Sequence, residues 1–420
     1  MKNWALKNLH KALKNLAKTV LMERRPFIIG ITGSVGKTST KEAVNAVLKE
    51  EYGDEVRTSS GNLNTEIGLP LTILGYEKLP NKFLWPLFLF LAWIKTFQSS
   101  YPKYLVLEMG VDKPGDMEYF MEFVEPSISI VTALTPAHMA NFTSLEKMQQ
   151  EKLKIFDNQN SLNIKIYNGD DEYFKQNKVA NGLMYSISDR DSDCFTTNIN
   201  ITKNGNKYFV FCGPDKLSIH NKLLGKPMIS SQLAAIGVGK YLKIENKKIE
   251  KAINSLSPVN GRMKILSGKN GMTILDDTYN SSPAAVKAAL DTVFEIKYEG
   301  RKVAILGNMN ELGDLEKESH IEIAKYAKNK VDLCVFVGQN ADIMLKSHGE
   351  ENALAYKDRD SLISDIDRVV ESGDLVFVKA SQNNNYFEEV VKQLLYESID
   401  PEKNLVRQDN FWLSKKKIQK

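Results

Sequence analysis

Apolar residues recur every three or four positions at the start of the chain. Leu6, Leu9, Leu13, Leu16 and Val20 share one side, with Lys2, Lys7, Lys11, Lys14 and Lys18 on the others. That period predicts a helix over 2–21, ended by Arg24, Arg25 and Pro26. The pattern then changes. FIIGIT (27–32) is a short unbroken apolar run, as in a strand buried within a parallel sheet, and KTSTKEAVNAVLKEE returns to helical period. Similar runs occur at 104–110, 128–134, 164–169, 272–278, 302–309, 333–338 and 374–381, mostly alternating with helical stretches such as 281–295 and 317–330. This alternation predicts an α/β protein with parallel sheets covered on both faces. Residues 194–222 differ: two strand-like runs meet at Asn204-Gly205, the signature of a hairpin. Turn residues in SLSPVNGRM (255–263) predict a domain boundary, and the tail LSKKKIQK is expected to fray.

One segment fits neither period. FLWPLFLFLAWI (83–94) is apolar throughout, but at 12 residues with Pro86 it is too short to span a bilayer. It reads as a core helix, or as a membrane-surface or dimer contact. The helix at 2–21 has the composition of an interfacial helix, with seven Lys/Arg through Arg25 against one Glu. Peripheral membrane contact through 2–21 and 83–94 is therefore an expectation, and a lipid-linked substrate would follow from it.

Composition narrows the classes. At 420 residues the chain suits two domains and a small appendage. Its 42% hydrophobic and 26% charged residues are those of an ordinary globular protein, and a net charge of +4 is too mild for a nucleic-acid partner. Cys194, Cys212 and Cys334 show no paired spacing, which speaks against a zinc ribbon or a disulfide framework and for a reducing cytoplasm. No secretory signal is visible.

The chemistry begins at GSVGKTST (33–40), between a predicted strand and a predicted helix. The common phosphate-loop pattern has a glycine where Ile31 stands. The loop works without it. Gly33 and Gly36 let the backbone turn so that N–H groups, including those of Ser34 and Ser39, converge on a phosphate chain at a helix N-terminus. Lys37 can reach the terminal phosphates and the Thr38 hydroxyl can ligate Mg2+. A nucleotide site is expected here.

At these residues the chain resembles the Mur ligases, whose phosphate loop also lacks that first glycine. The likeness continues in order through GNLNTEIGLPLTIL (61–74), LEMGVDKPGDMEY (107–119), TPAHMANFTSLEKMQQEKLKIF (135–156), YNGDDE (167–172), GRMKIL (261–266), LDDTYNSSPAAVKAAL (275–290), GNMNELGDLEKESH (307–320) and VFVKAS (376–381). The DDTYN-x-x-P and M-x-ELG segments resemble the branch that adds D-alanyl-D-alanine to the muramyl tripeptide. After the basic amphipathic helix, placed at 1–25, the resemblance implies a central, mainly parallel P-loop-type ATPase domain over 26–258, into which this chain sets an apolar insert at 80–100, and a smaller Rossmann-like domain over 259–420.

It also implies a reaction. ATP phosphorylates a carboxylate, an amine attacks the acyl phosphate, and ADP and phosphate leave. Lys37 and Thr38 would serve the phosphates and one Mg2+. Glu108, His138 and a carbamylated Lys152 would complete two metal sites, with Lys37, His138 and Lys152 the catalytic group. EKMQQEKLK also reads simply as a charged helix face. Arg262, Asp276 or Asp277, Tyr279 and Asn280 would meet the nucleotide, with the ribose at one of the two aspartates. Asn64 and Thr65 would face the carboxylate donor, and Asn310, Glu311 and Leu312 the D-alanyl-D-alanine-like amine. His320 matches a family histidine without an assigned role.

Departures from the family pattern fall at Thr132-Ala133, Lys154, Pro227, Met228, Ser231, Asn308 and Gln382. Relatives also carry a domain ahead of the phosphate loop that holds the UDP end of the donor, where about 30 residues stand here. UDP held differently, or a lipid-linked or other non-UDP donor, is the expectation that follows. A P-loop ATPase without ligation is the reading from another class.

Overall fold

The computed structural model describes residues 2–59, 63–97, 100–137, 139–157, 163–349, 351–382 and 385–418, so His138 lies outside the described residues. The chain forms two compact units. One comprises Met1–Asn198, Tyr208–Ile219 and Met228–Leu256; the other comprises Ile199–Lys207, His220–Pro227 and Ser257–Lys420.

The strands up to Asn221 are β1 (Phe27–Thr32), β2 (Val56–Thr58), β3 (Tyr104–Glu108), β4 (Ile128–Val131), β5 (Ile164–Asn168), β6 (Gly182–Ser186), β7 (Cys194–Thr202), β8 (Gly205–Cys212) and β9 (Asp215–Asn221). They form one sheet in the order β2-β3-β1-β4-β5-β6-β7-β8-β9, parallel from β2 through β7. The long apolar runs form its centre, as their unbroken hydrophobicity requires. β2 and β6 are short flanking strands whose sequences carry no such run. The hairpin expected over 194–222 is a three-strand meander, because DKLSIHN adds β9 beside β8. Cys194 and Cys212 stand on neighbouring strands and are joined as a disulfide, contrary to the reading of unpaired thiols. Their separation of 18 residues hides a pairing that only the strand register creates.

Helix α1 (Lys2–Arg24) does not present its apolar stripe to solvent. Leu9, Leu13, Ala17, Val20 and Leu21 are buried in one core with α3 (Gly68–Leu74), α4 (Trp85–Thr96) and β3. Each fully buried leucine contributes about 2 kcal/mol relative to exposure. The stripe expected to lie on lipid therefore holds the protein together, which removes 2–21 as an inserting element. No helix among the described residues is long and apolar enough to cross a membrane.

The second unit is built on β10 (Lys264–Ser267), β11 (Thr273–Asp277), β12 (Lys302–Gly307), β13 (Leu333–Val337), β14 (Ala353–Tyr356) and β15 (Leu375–Lys379), in the order β10-β11-β15-β12-β13-β14. All neighbours are parallel except β10 and β11. The tail expected to fray is instead a helix, Asn410–Ile418, with Lys416 paired to Glu388 at 2.8 Å and Glu389 at 2.5 Å. Its run of lysines looks solvated because the acids that pair with it lie more than twenty residues earlier.

Candidate active site

β1 lies between β3 and β4, so the chain leaves its carboxyl end at the point where strand order reverses, the usual place for a ligand in a doubly wound sheet. There the loop Gly33–Gly36 leads into α2 (Lys37–Tyr52). Gly33 (φ 143°) and Gly36 (φ 85°) take conformations that L side chains rarely adopt, and a Cβ on Gly33 would run into Thr132 Oγ1. The end of β4 braces the loop. Thr132 Oγ1 donates to Val35 O (2.6 Å), Ser34 Oγ to Thr135 O (2.5 Å) and Ser34 N to Ala133 O (2.8 Å). The Thr132-Ala133 departure thus retains a bracing hydroxyl and a usable carbonyl. Gly36 offers no side-chain cap to α2, so the helix's first N–H groups suit an anion. Ser39 lies half-buried in that first turn.

Lys37 Nζ lies across the loop, donating to Gly33 O (2.6 Å) and Ser34 O (3.2 Å). Thr38 Oγ1 donates to Glu108 Oε1 at 3.2 Å, and Asn64 Nδ2 donates to the same oxygen at 3.0 Å. Glu108 ends β3 and is buried. Its Oε2 has no hydrogen-bond partner among the described residues, although Lys41 Nζ stands 4.0 Å away. A buried carboxylate with an unused oxygen, beside a threonine hydroxyl at a phosphate loop, fits a hard cation that keeps several waters. Among the described residues no three His, Cys, Asp or Glu side chains cluster for a metal. Thr38 and Glu108 are the described residues that would hold such a cation. Thr65 accepts from Gly68 N (3.3 Å) at the start of α3.

Lys152 sits near the end of the helix Leu145–Leu153, whose N-cap Ser144 accepts from Lys147 N. Glu146 and Lys147 are the solvated face the sequence suggested, but Glu151 and Lys152 point inward and are buried. Lys152 Nζ donates to Val111 O at 2.8 Å. Burial, followed by the nearby Lys37 ammonium, lowers its pKa to about 7. Glu151 accepts from Met117 N (2.9 Å) and pairs with Lys154 (2.8 Å), which also holds Glu118 (2.6 Å). Lys154 thus neutralises two acids of this shell.

In the second unit the carboxyl ends of β11, β15 and β12 collect the remaining candidates. Asp276 is completely buried. Its Oδ1 accepts from Thr278 N (3.1 Å) and Oγ1 (2.6 Å), and desolvation pushes its pKa up to about 6. Asp277 lies nearer the surface, with Oδ2 paired to the buried Lys379 at 2.6 Å and Oδ1 accepting from Met263 N. Lys379 also donates to Asn280 O (2.8 Å), and the Arg262 guanidinium lies over the Tyr279 ring at 4.4 Å. Asn310 N donates to Ser381 Oγ (2.9 Å), and Asn310 Nδ2 donates to Gln382 O (2.8 Å). The backbone at Gln382 therefore serves this loop. Glu311 turns with φ 65° and Leu312 is buried. His320 is buried, accepts from Met309 N at Nε2 (2.9 Å), and faces Glu316 O through Nδ1 (2.7 Å). Desolvation lowers its pKa, so it braces the 309–312 loop as a neutral ring.

Two comparisons decide the family. Residues 31–239 match the family model of the Mur ligase middle domain, and residues 261–382 match that of the Mur ligase glutamate ligase domain. The chain belongs to the Mur ligase family. A Mur ligase of Bacillus subtilis strain 168, named UDP-N-acetylmuramoyl-tripeptide–D-alanyl-D-alanine ligase, is 29% identical over 392 residues, 91% of this chain and 79% of that protein. Among solved structures, MurF from Acinetobacter baumannii superposes with a TM-score of 0.79 at 20% identity, covering 92% of this chain and 80% of its own. MurF ligase from Thermotoga maritima in complex with ADP gives a TM-score of 0.75 at 23% identity, with coverages of 91% and 83%. At such identities these two likenesses speak for the fold.

Sequence reasoning about this Mur ligase missed several side chains. Lys41, one turn after Lys37, is wholly buried with Nζ 2.9 Å from Ser59 O. A lysine four residues from another reads as a solvated face, and only the strand beside it reveals otherwise. Arg407 was missed for the same kind of reason. It donates to Thr278 O (2.6 Å) and Tyr279 O (3.2 Å) while paired with the buried Glu388 at 2.9 Å. No local motif announces a residue that acts on a loop more than a hundred positions earlier.

Proposed function

We propose that this chain is an ATP-dependent, ADP-forming amide ligase that joins the carboxylate of a muramyl tripeptide to the amine of D-alanyl-D-alanine. The observation that carries the reading is the convergence of Lys37, Thr38, Glu108 and a buried Lys152 on one phosphate loop. A nucleotide-binding switch has no need for the last of these. The named activity of the Bacillus subtilis relative supplies the substrates.

In this reading the loop N–H groups and Lys37 hold the β- and γ-phosphates in line with the donor carboxylate. The γ-phosphoryl group passes to a carboxylate oxygen and ADP leaves. The amine then attacks the acyl carbon, and phosphate departs with the C–O bond electrons as the amine loses a proton. Magnesium at Thr38 and Glu108 would draw charge from the phosphoryl oxygens. Burial lowers the Lys152 pKa to about 7, so a substantial fraction of its amine is neutral at physiological pH. Its amine can then add to carbon dioxide, losing a proton and giving an anionic carbamate. We assign that carbamate, with His138, to a second ion. Asp276 is shielded by the fold, so the ribose contact goes to Asp277, with Arg262, Tyr279 and Asn280 beside the nucleotide. Asn64 orients Glu108 as well as facing the donor, and Asn310, Glu311 and Leu312 shape the amine site. The reaction belongs in the cytoplasm at the inner face of the membrane, with peripheral contact through 2–21 and 83–94, the first offering its basic side chains because its apolar stripe is buried.

The test is phosphate release from ATP with UDP-muramyl-tripeptide and D-alanyl-D-alanine, each alone and together. Release only with both, and a product heavier by the dipeptide, is the expected outcome. Turnover without any acceptor would make the protein an ATPase. No release with both, from protein that binds ATP, would exclude this donor and move the search to lipid-linked ones.

A further inference from the structure

Helix α4 and the turn before it are the most exposed apolar surface of the described residues. Only Phe88, Ala92 and Thr96, spaced by four, are buried, with Phe88 edge-on to Tyr76 at 4.8 Å. The rest faces outward: Phe83 is 82% exposed, Leu87 56%, Phe90 55% and Phe97 63%, with Leu91 and Trp93 half exposed between them. Patches of this kind mark interaction sites in proteins that otherwise stay soluble.

The surrounding charge indicates the partner. The chain carries 56 Lys and Arg against 52 Asp and Glu. Residues 2–25 and 75–103, which include the packed helices α1 and α4, hold 11 of those bases and 2 of those acids. That leaves 45 against 50 elsewhere, so these two segments carry +9 and the remainder −5. Arg24 Nη2 donates to Thr96 O (3.1 Å) at the end of α4, while Lys7, Lys11, Lys18, Arg25 and Lys78 are exposed. Two copies meeting through this face would bring like charges together, because a twofold contact sets the same patch against itself. An aromatic-rich helix about 18 Å long cannot cross a hydrocarbon core about 30 Å thick, but it can lie along its surface.

We propose that Phe83–Phe97 docks the protein on an anionic lipid bilayer, with α4 lying in the interface and the basic residues around it on the headgroups. The proposal rests on the peripheral placement given under the proposed function but not on ligation, so vesicle binding and amide formation are read separately. The full chain is floated with vesicles of phosphatidylcholine alone and of phosphatidylcholine with phosphatidylglycerol, at low and high salt. Flotation with the anionic vesicles at low salt, weakened by salt, is expected. Leu87→Ser with Phe90→Ser should reduce partitioning about tenfold or more while the melting profile and ATP turnover stay unchanged. Arg25→Glu with Lys78→Glu should weaken binding to anionic vesicles by at least tenfold and leave binding to neutral ones alone. Absence of flotation, or flotation indifferent to both double variants, overturns the proposal. So does a dimer in sedimentation that the serine substitutions dissociate, since a second copy would then occupy the face.

Discussion

Asp276→Asn separates the electrostatics of the second unit from its packing. The wild-type carboxyl is completely buried, its Oδ2 has no hydrogen-bond partner among the described residues, and burial raises its pKa from 3.8 to about 6. A shift of roughly two units is worth about 3 kcal/mol. The raised value means that the folded state keeps this proton longer than the unfolded chain. The group's contribution is fully present below about pH 4 and is lost as pH rises through about 6. Asparagine keeps an oxygen for Thr278 and carries no charge to bury, though its amide protons would replace Oδ2 unpaired at about 1–3 kcal/mol. At neutral pH the two effects nearly offset. The informative quantity is therefore the change in the wild-type–variant difference between about pH 4 and about pH 7.5, expected near 3 kcal/mol in the variant's favour at the higher pH. Urea unfolding read by Trp412, the one tryptophan in the second unit, measures it once Trp4, Trp85 and Trp93 are changed to phenylalanine. A difference that stays flat across that range would refute the reasoning, because the carboxyl would then titrate alike in both states.

Lys152→Ala should lower amide formation by about a hundredfold or more, with partial rescue by short-chain carboxylic acids, and unchanged turnover would remove the residue from the mechanism. In wild type, carbamate labelling from carbon-13 bicarbonate should rise with pH through about 7 as the amine loses its proton. Arg407→Met leaves Glu388 buried with Lys416 as its remaining close cation, and should cost the second unit about 3–5 kcal/mol in the Trp412 transition. A loss below about 1 kcal/mol would mean that Lys416 alone suffices to neutralise the buried Glu388.

The strands and the phosphate loop were legible because their signals are local. FIIGIT cannot avoid burial, and a Gly-Lys-Thr after it fixes a helix start. The family likeness singled out Glu108 and Lys152 by position, and both are buried, but the partners they meet were invisible. Asn64 reaching Glu108, Thr132 bracing Val35 and Lys379 pairing with Asp277 span 44, 97 and 102 residues. Such contacts depend on strand order, which periodicity does not encode. The same limit explains the errors. α1 and α4 both read as amphipathic or apolar elements, but which of them the core would absorb depended on which face found a partner. The Cys194–Cys212 pairing likewise waited on the register of two strands.

The burial of α1 also has a consequence for synthesis. Its stripe packs with α3 and α4, and α4 ends at Thr96, some seventy residues after α1 itself is finished. At about 5–20 residues per second the nascent chain presents a basic helix with an uncovered leucine face for roughly 4–14 s before its partners are made. During that interval the face that later closes the core is open to chaperones and to lipid alike. The order in which the ribosome delivers these helices thus leaves the α1 leucine face uncovered early in synthesis, and the finished fold withdraws it once α3 and α4 are made.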